Sequence, residues 1–320
     1  MQEDSPPADL DPEIGEQAMQ LMDTLRGFTA AQAVAVIVFD PLDAAGRHHV
    51  LASHGYSAAI LRHATTGFGA DTVTYQLVST VPHAVRWRDF RDDWHIDVTD
   101  TVTGRLLIPA GFREGASAAL QVRGGRYVGS VHVSWTRADA ATDRRREAID
   151  RLLPVFANAC DLMKEPNLLA RRLDPSTHAR VRTAAGGVDL DQRERGPHLC
   201  DGAALWTLLA HAPEAGRFLW LDAERACHRV ELIPGPRGEV LVTERRIARP
   251  HGLTIRELHT LHLVTLGDTN AGIAARLVVS PKTVATHIEH LLAKLHCGSR
   301  AELAALAVGE GLQLLVPPGR

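Results

Sequence analysis

The chain has 320 residues, a net charge of −3 and a pI near 6.6, with 45% hydrophobic and 23% charged residues. At roughly 150 residues per domain this length holds about two domains, and the composition excludes wholesale disorder. The near-neutral balance excludes a polycation, so any contact with nucleic acid must be local.

Residues 1–12, acidic and proline-containing, read as a mobile leader without the basic and apolar regions of a secretory signal. Asp11-Pro12 opens a helix with Ile14, Ala18, Leu21, Met22 and Leu25 on one face, stopped by Gly27. Ala33–Phe39 is a β-branched apolar run, a buried strand. It is also the longest apolar run and falls far short of the ~20 residues a membrane helix needs. A second strand is expected over His49–His54 and a helix around Ser57–Ala64, while Val73–Val78 fits helix or strand. Ala118–Val122 and Tyr127–Trp135 flank Arg123-Gly-Gly-Arg126, a strong hairpin signal. In the second hairpin strand Tyr127, Val131, Val133 and Trp135 alternate with Val128, Ser130, His132 and Ser134, giving an apolar and a mostly polar face. A closing helix begins near Asp143 with Ile149, Leu152, Leu153, Phe156, Cys160 and Met163 in its stripe, and Pro154 should kink or split it. The four cysteines (Cys160, Cys200, Cys227, Cys297) form no C-x-x-C pair, which excludes a disulfide scaffold or four-cysteine zinc site and fits a reducing cytoplasm.

The order of helix, strands, hairpin and closing helix over residues 13–165 resembles a GAF sensory domain. The stretches that carry the resemblance are Val34-Ala-Val-Ile-Val-Phe-Asp40, Ser53-His-Gly-Tyr56 and Tyr127-Val-Gly-Ser-Val-His-Val-Ser-Trp135. It implies an antiparallel sheet with helices on one face, a pocket on the other and terminal helices that pair in dimers. Ser130, His132 and Ser134 on the polar strand face are then the candidate pocket residues for a small-molecule effector.

Residues 166–200, rich in Arg, Pro and Gly, read as linker, and their arginines as solvated. Residues 201–248 read as a small α+β segment, open to a PAS-like reading. It has a helix over Ala203–Ala210 and a hairpin of His228–Ile233 and Val240–Arg245.

The last part of the chain, 249–320, is the most informative. Thr254 and Glu257 have capping-box spacing ahead of Leu258, Leu261, Leu263, Val264 and Leu266. Gly267 ends that helix, and Thr269-Asn270 opens a short second one with Ile273, Ala274 and Leu277 inward. Val278-Val279 make a tight connection. Ser280-Pro281 then combine a preferred N-cap with the favoured first helical residue. The third helix buries Val284, Ile288, Leu291 and Leu295 and presents Lys282, Ala285, Thr286, Glu289 and Ala293. A fourth, Arg300–Val308, is capped by Ser299. This is the helix-turn-helix arrangement, and a helix ~10–12 Å across fits the DNA major groove.

The run resembles the LuxR-type (GerE) DNA-binding domain. Its landmarks are Leu253-Thr254, Arg256-Glu257, Gly267-Asp-Thr-Asn270, Ile273-Ala274, Leu277, Ser280-Pro-Lys-Thr-Val284, His287, Lys294-Leu295 and Ser299-Arg300-Ala301-Glu302. The resemblance implies a four-helix domain, usually dimeric, whose third helix reads operator DNA. Carried over, Thr283 is the phosphate contact, Ala285, Thr286 and Glu289 are the base-reading face, and Asn270 and Lys282 are DNA-backbone contacts. Residues 253–312 depart from the usual pattern at Ala285 and Glu289. They hold five basic and five acidic side chains, so dimerisation must supply what bulk charge does not.

The expected fold class is therefore multidomain α+β: a GAF-like antiparallel sheet with helices, a small α+β middle segment and an all-α four-helix helix-turn-helix domain. The expected function is a cytoplasmic, dimeric transcriptional regulator with double-stranded DNA as partner. A small-molecule effector and RNA polymerase are further candidate partners; no membrane partner, cofactor or catalytic residue is expected. The alternative is a ligand-binding or protein-interaction module whose helix-turn-helix no longer binds DNA. His259-x-x-His262 and His287-x-x-His290 have metal-pair spacing, but both pairs fall in helices already accounted for, and no metal site is assigned.

Overall fold

The structure, a computed structural model, describes residues 12–43, 47–67 and 72–317. The expected leader falls outside these residues except for Pro12, which opens the first helix. The chain divides into two compact units, Met1–Glu165 and Pro166–Arg320. Each contains a five-stranded sheet in which every strand pair is antiparallel.

The first unit runs α1 (Pro12–Thr29), β1 (Ala33–Phe39), β2 (His48–His54), α2 (Ala58–Arg62), α3 (Thr72–Thr80), β3 (Val85–Arg86), α4 (Trp87–Trp94), α5 (Val102–Leu107), β4 (Glu114–Gln121), β5 (Tyr127–Trp135) and α6 (Asp143–Ala159). Its sheet order is β2-β1-β5-β4-β3. Ala18, Met22 and Leu25 of α1 pack with Ile149, Leu153 and Phe156 of α6 over one sheet face, where Val34, Val36, Val131, Val133 and Trp135 complete the core. Burying a side chain of that size stabilises by about 1.5–3 kcal/mol, so this stripe is what holds the two helices on the sheet.

Two details depart from simple periodicity. Val128 joins the core beside Val131, although strict alternation puts it on the polar face. The register skips Val128 between Leu120↔Gly129 and Gln121↔Tyr127, and Gly129 has φ +151, where a Cβ would lie 2.1 Å from the Ile37 carbonyl oxygen. A bulge that only glycine permits therefore turns Val128 inward. Pro154 does not split the closing helix, which continues to Ala159. Buried Leu153 and Phe156 flank the proline, and their packing offsets the lost hydrogen bond. The ambiguous segment Val73–Val78 is helical, within α3.

The second unit begins with α7 (Lys164–Arg171), which spans the boundary, then β6 (His178–Thr183), β7 (Gly186–Val188), α8 (Ala204–Leu209), β8 (Gly216–Leu221), β9 (Cys227–Pro234) and β10 (Val240–Ile247). The order of this sheet is β7-β6-β10-β9-β8. Residues 166–200 thus carry a helix and two strands rather than a linker. Arg180, expected in solvent, is buried: its guanidinium donates to Asp201 and the Leu199 carbonyl and lies 4.7 Å over the Trp206 ring. A strand written His-Ala-Arg-Val-Arg-Thr hides its β character because its buried arginine is paired rather than solvated.

Four helices follow: α9 (Ile255–Thr265), α10 (Asn270–Leu277), α11 (Pro281–Lys294) and α12 (Arg300–Gly309). They share one hydrophobic cluster with Leu219 of β8 and Cys227 of β9. After α12 the chain returns to the sheet edge. The Leu219 N–H donates to the Gln313 carbonyl at 2.8 Å and the Leu315 N–H to the Leu219 carbonyl at 2.7 Å, a parallel bridge. Leu314 enters the four-helix cluster while Leu315 joins Leu205, Leu209, Trp220 and Val230 on the other side of the sheet. Among the described residues no helix is long and apolar enough to cross a membrane.

Candidate nucleic-acid interface and ligand pocket

Local signals place the helix-turn-helix. Thr254 accepts from the Glu257 N–H while the Glu257 carboxylate accepts from the Thr254 N–H at 2.7 Å, the reciprocal capping box expected from their spacing. Thr269 caps α10 through the Gly272 N–H, and Ser280 caps α11 through the Thr283 N–H at 3.0 Å, with Pro281 at the first helical position. The turn between the two helices closes through Val278, held at φ 54 and ψ 53 and 90% exposed. A β-branched residue is strained in that left-handed conformation, which stops α10 sharply.

Val284, Ile288, Leu291 and Leu295 are buried, as their spacing requires. On the opposite face of α11, Lys282, Thr283, Thr286 and Glu289 are exposed, with Ala285 half-buried beside them. The Lys282 ammonium makes no hydrogen bond or ion pair among the described residues, and it stands at the positive end of the helix dipole. Asn270 sits differently from its neighbours in the expected set. It is half-buried, and its amide oxygen accepts from Arg300 Nη1 at 3.0 Å.

Three of the other four cations of residues 253–312 are engaged within the domain, and the fourth, Arg256, is exposed on α9. Lys294 pairs with Glu257 at 2.8 Å and Arg276 with Asp268 at 3.2 Å, and Arg300 reaches the Asp268 carbonyl as well as Asn270. Three of the five cations that the sequence counts therefore stabilise the four-helix unit, and Lys282 is the cation left on the outward face of α11. Burial pushes the Glu257 carboxyl up, but Lys294 and the Thr254 donors outweigh it and hold the group below the ordinary glutamate range.

In the first unit two of the three expected pocket residues, His132 and Ser134, border a small cavity of about 40 Å³ also lined by Ala35, Tyr56, Trp87 and Leu107, while Ser130 lies outside its lining and reaches it only through His132. It holds no more than a few water molecules. His132 lies between two hydroxyls: Ser117 Oγ is 2.9 Å from Nδ1 and Ser130 Oγ 2.9 Å from Nε2. Ser134 instead shares a 2.8 Å hydrogen bond with the Tyr56 hydroxyl. Desolvation, reinforced by His63 and His48, pushes the His132 imidazole down to about 4, so it is neutral at pH 7. Ser117 carries no sequence signal and Tyr56 stands only in the Ser53–Tyr56 stretch, because their roles depend on how β4, β5 and the loop after β2 come together.

The second unit holds a polar cluster with no local sequence signature. Glu244 of β10 meets His228 Nδ1 at 2.5 Å and His178 Nδ1 at 3.0 Å, while His228 Nε2 faces Asp222 at 3.0 Å. The His198 ring lies 4.8 Å from the His228 ring and 5.0 Å from that of Trp220.

Residues 251–307 match the family model described as bacterial regulatory proteins, luxR family. A candidate HTH-type transcriptional regulator of Mycobacterium bovis is 46% identical over 68 residues, 21% of this chain and 8% of that protein. The Bacillus subtilis transcriptional regulatory protein LiaR is 44% identical over 61 residues, 19% of this chain and 29% of that protein. The match thus spans under a third of either relative. A Geobacter sulfurreducens GAF domain/HD domain protein overlaps 48% of this chain and 95% of its own length, at 18% identity and a TM-score of 0.37.

Proposed function

We propose that this chain, whose C-terminal residues form a LuxR-family helix-turn-helix domain, is a cytoplasmic transcriptional regulator that binds double-stranded DNA as a homodimer. The observation that carries the reading is the two-sided character of α11. One side is locked into the four-helix cluster by Val284, Ile288 and Leu291, and the other leaves Lys282, Thr283, Thr286 and Glu289 in solvent. Phosphate contacts from Lys282 and Thr283 fix register on the duplex. Thr286 and Glu289 reach base edges, where a carboxylate accepts from the cytosine amino group. Asn270, whose amide oxygen is held by Arg300, keeps its amide NH2 to donate to a phosphate.

Dimerisation supports this reading on energetic grounds. With a net charge of zero over residues 253–312 and one uncommitted cation on α11, a single domain neutralises few phosphates. Two linked domains on half-sites about one helical turn apart supply the rest. In the first unit α1 and α6 pack against each other and leave Met19, Phe28 and Val155 exposed, separate apolar side chains that a second copy would cover. The His132 cavity admits an effector only if Tyr56 or His132 gives up its present partners, so a ligand there must supply its own hydrogen bonds. RNA polymerase is the natural further partner of a DNA-bound dimer.

The test is an electrophoretic mobility shift of the full chain on fragments of its own upstream region. A salt-sensitive, sequence-preferring shift is expected. The alternative, an interaction module that has lost DNA binding, predicts a folded, dimeric chain with no such shift at any salt concentration.

A further inference from the structure

We infer that His198, Asp222 and His228 form a binding site for a first-row divalent cation, in the sheet of the second unit and apart from the DNA-facing helix. Each offers one ligand atom, and the three atoms lie within 4.8 Å of one another. His228 Nε2 and an Asp222 carboxylate oxygen are already 3.0 Å apart, close to the ~3.0–3.4 Å between two ligands bonded at ~2.0–2.1 Å to one zinc-sized ion. His198, half-buried in the short turn Pro197–Leu199, needs only a small ring movement to complete the set.

The surroundings argue for a built site. His228 is 3% exposed, and its other nitrogen faces the Glu244 carboxylate, itself 1% exposed. That is the carboxylate–histidine arrangement that holds Nδ1 and aims Nε2 outward, where a cation would replace the present Nε2–Asp222 hydrogen bond. Asp222 is oriented in the same way, because its second oxygen accepts from the Ala226 N–H at 2.7 Å. His178 on the far side of Glu244 braces the carboxylate. Two imidazoles and one carboxylate are borderline donors that suit Zn²⁺, Co²⁺ or Fe²⁺ better than Mg²⁺ or Ca²⁺, and three protein ligands leave room for water. Cys227, next to His228, packs in the cluster that holds Leu258 and Val284 of the helix-turn-helix, so metal occupancy bears on the strand on which those helices rest.

The test loads the full-length, chelator-treated chain with Co²⁺ and Zn²⁺. One equivalent of Co²⁺ should give visible ligand-field bands, reversed by chelator, and change the fluorescence of Trp220, whose ring is 5.3 Å from that of His228. His198→Ala removes a half-exposed ligand and should abolish the one-equivalent site while leaving the circular dichroism unchanged; Asp222→Asn should do the same. Glu244→Gln should weaken binding roughly 10–100-fold. X-ray absorption of the zinc-loaded wild type should count two imidazoles, a readout that needs no variant. Absence of saturable binding, survival of the site in folded His198→Ala, or an imidazole count other than two would overturn the assignment. None of these readouts depends on whether the chain binds DNA.

Discussion

Lys294, at the end of α11, donates to the Glu257 carboxylate at 2.8 Å, and Glu257 completes the capping box that opens α9. One buried carboxylate therefore both starts the first helix of the domain and anchors the last turn of the third. Glu257→Ala should cost more than an ordinary cap, about 2–3 kcal/mol, because it also strips Lys294 of its partner. Urea denaturation checks this, and Lys294→Met should cost less than Glu257→Ala. Glu257 titrates below the ordinary range in the folded chain, so its contribution is complete above the ordinary glutamate value of 4.5 and is lost as pH falls through the lowered value.

Val278 offers the opposite case, a residue whose replacement stabilises. It is exposed, so its side chain contributes little burial, and it pays the left-handed strain. Val278→Gly should raise the melting temperature, by an amount equivalent to about 0.5–1 kcal/mol. A fall would mean that the isopropyl group makes a contact the structure does not show.

The return of the chain after α12 predicts that the tail is part of the fold. Leu314 is 4% exposed among helix residues of the domain. Leu314→Ala should destabilise the second unit by about 2–3 kcal/mol. It should also speed hydrogen exchange at the Leu219 and Leu315 amides, which lie in the parallel bridge.

His132 gives a pH signature to the first unit. Its value in the folded chain is about 4 against an ordinary 6.5. The unfolded chain then binds more protons between those values, so stability is full above 6.5 and falls as pH drops toward 4, by at most about 3 kcal/mol. His132→Asn, which keeps a donor and an acceptor, should flatten that part of the stability–pH profile measured by urea titration. An unchanged slope would place the titration elsewhere.

What could be read in the sequence was what is written locally. Thr254 and Glu257, Ser280 and Pro281, and Arg123-Gly-Gly-Arg126 each encode an element within a few residues, the α11 stripe encodes which face is buried, and the unbroken apolar run of β1 encodes a strand buried on both faces. The sheet of the second unit was half hidden. His228–Ile233 and Val240–Arg245 showed alternation, but β6 carries a buried arginine paired with Asp201, and β8 opens on Gly216-Arg217, which carry no strand signal. Long-range partners left no trace: Arg300 meets Asn270, and His178, His198, Asp222, His228 and Glu244 converge from five segments only once β6, β9 and β10 pair. In the pocket, His132 and Ser134 border one cavity and Ser130 does not, and the partners Ser117 and Tyr56 come from β4 and from the loop after β2.

The central claim is that the outward face of α11 docks on duplex DNA. The most direct measurement is the salt dependence of binding, by fluorescence anisotropy on an upstream fragment, for the wild type, Lys282→Ala and the Lys282→Ala/Thr286→Ala pair. Lys282→Ala should weaken binding across all sequences and reduce the log–log salt slope by about 1 per bound protomer. Adding Thr286→Ala should erase sequence preference while the chain remains folded and dimeric. Wild-type affinity and slope retained in the folded double variant would contradict the account.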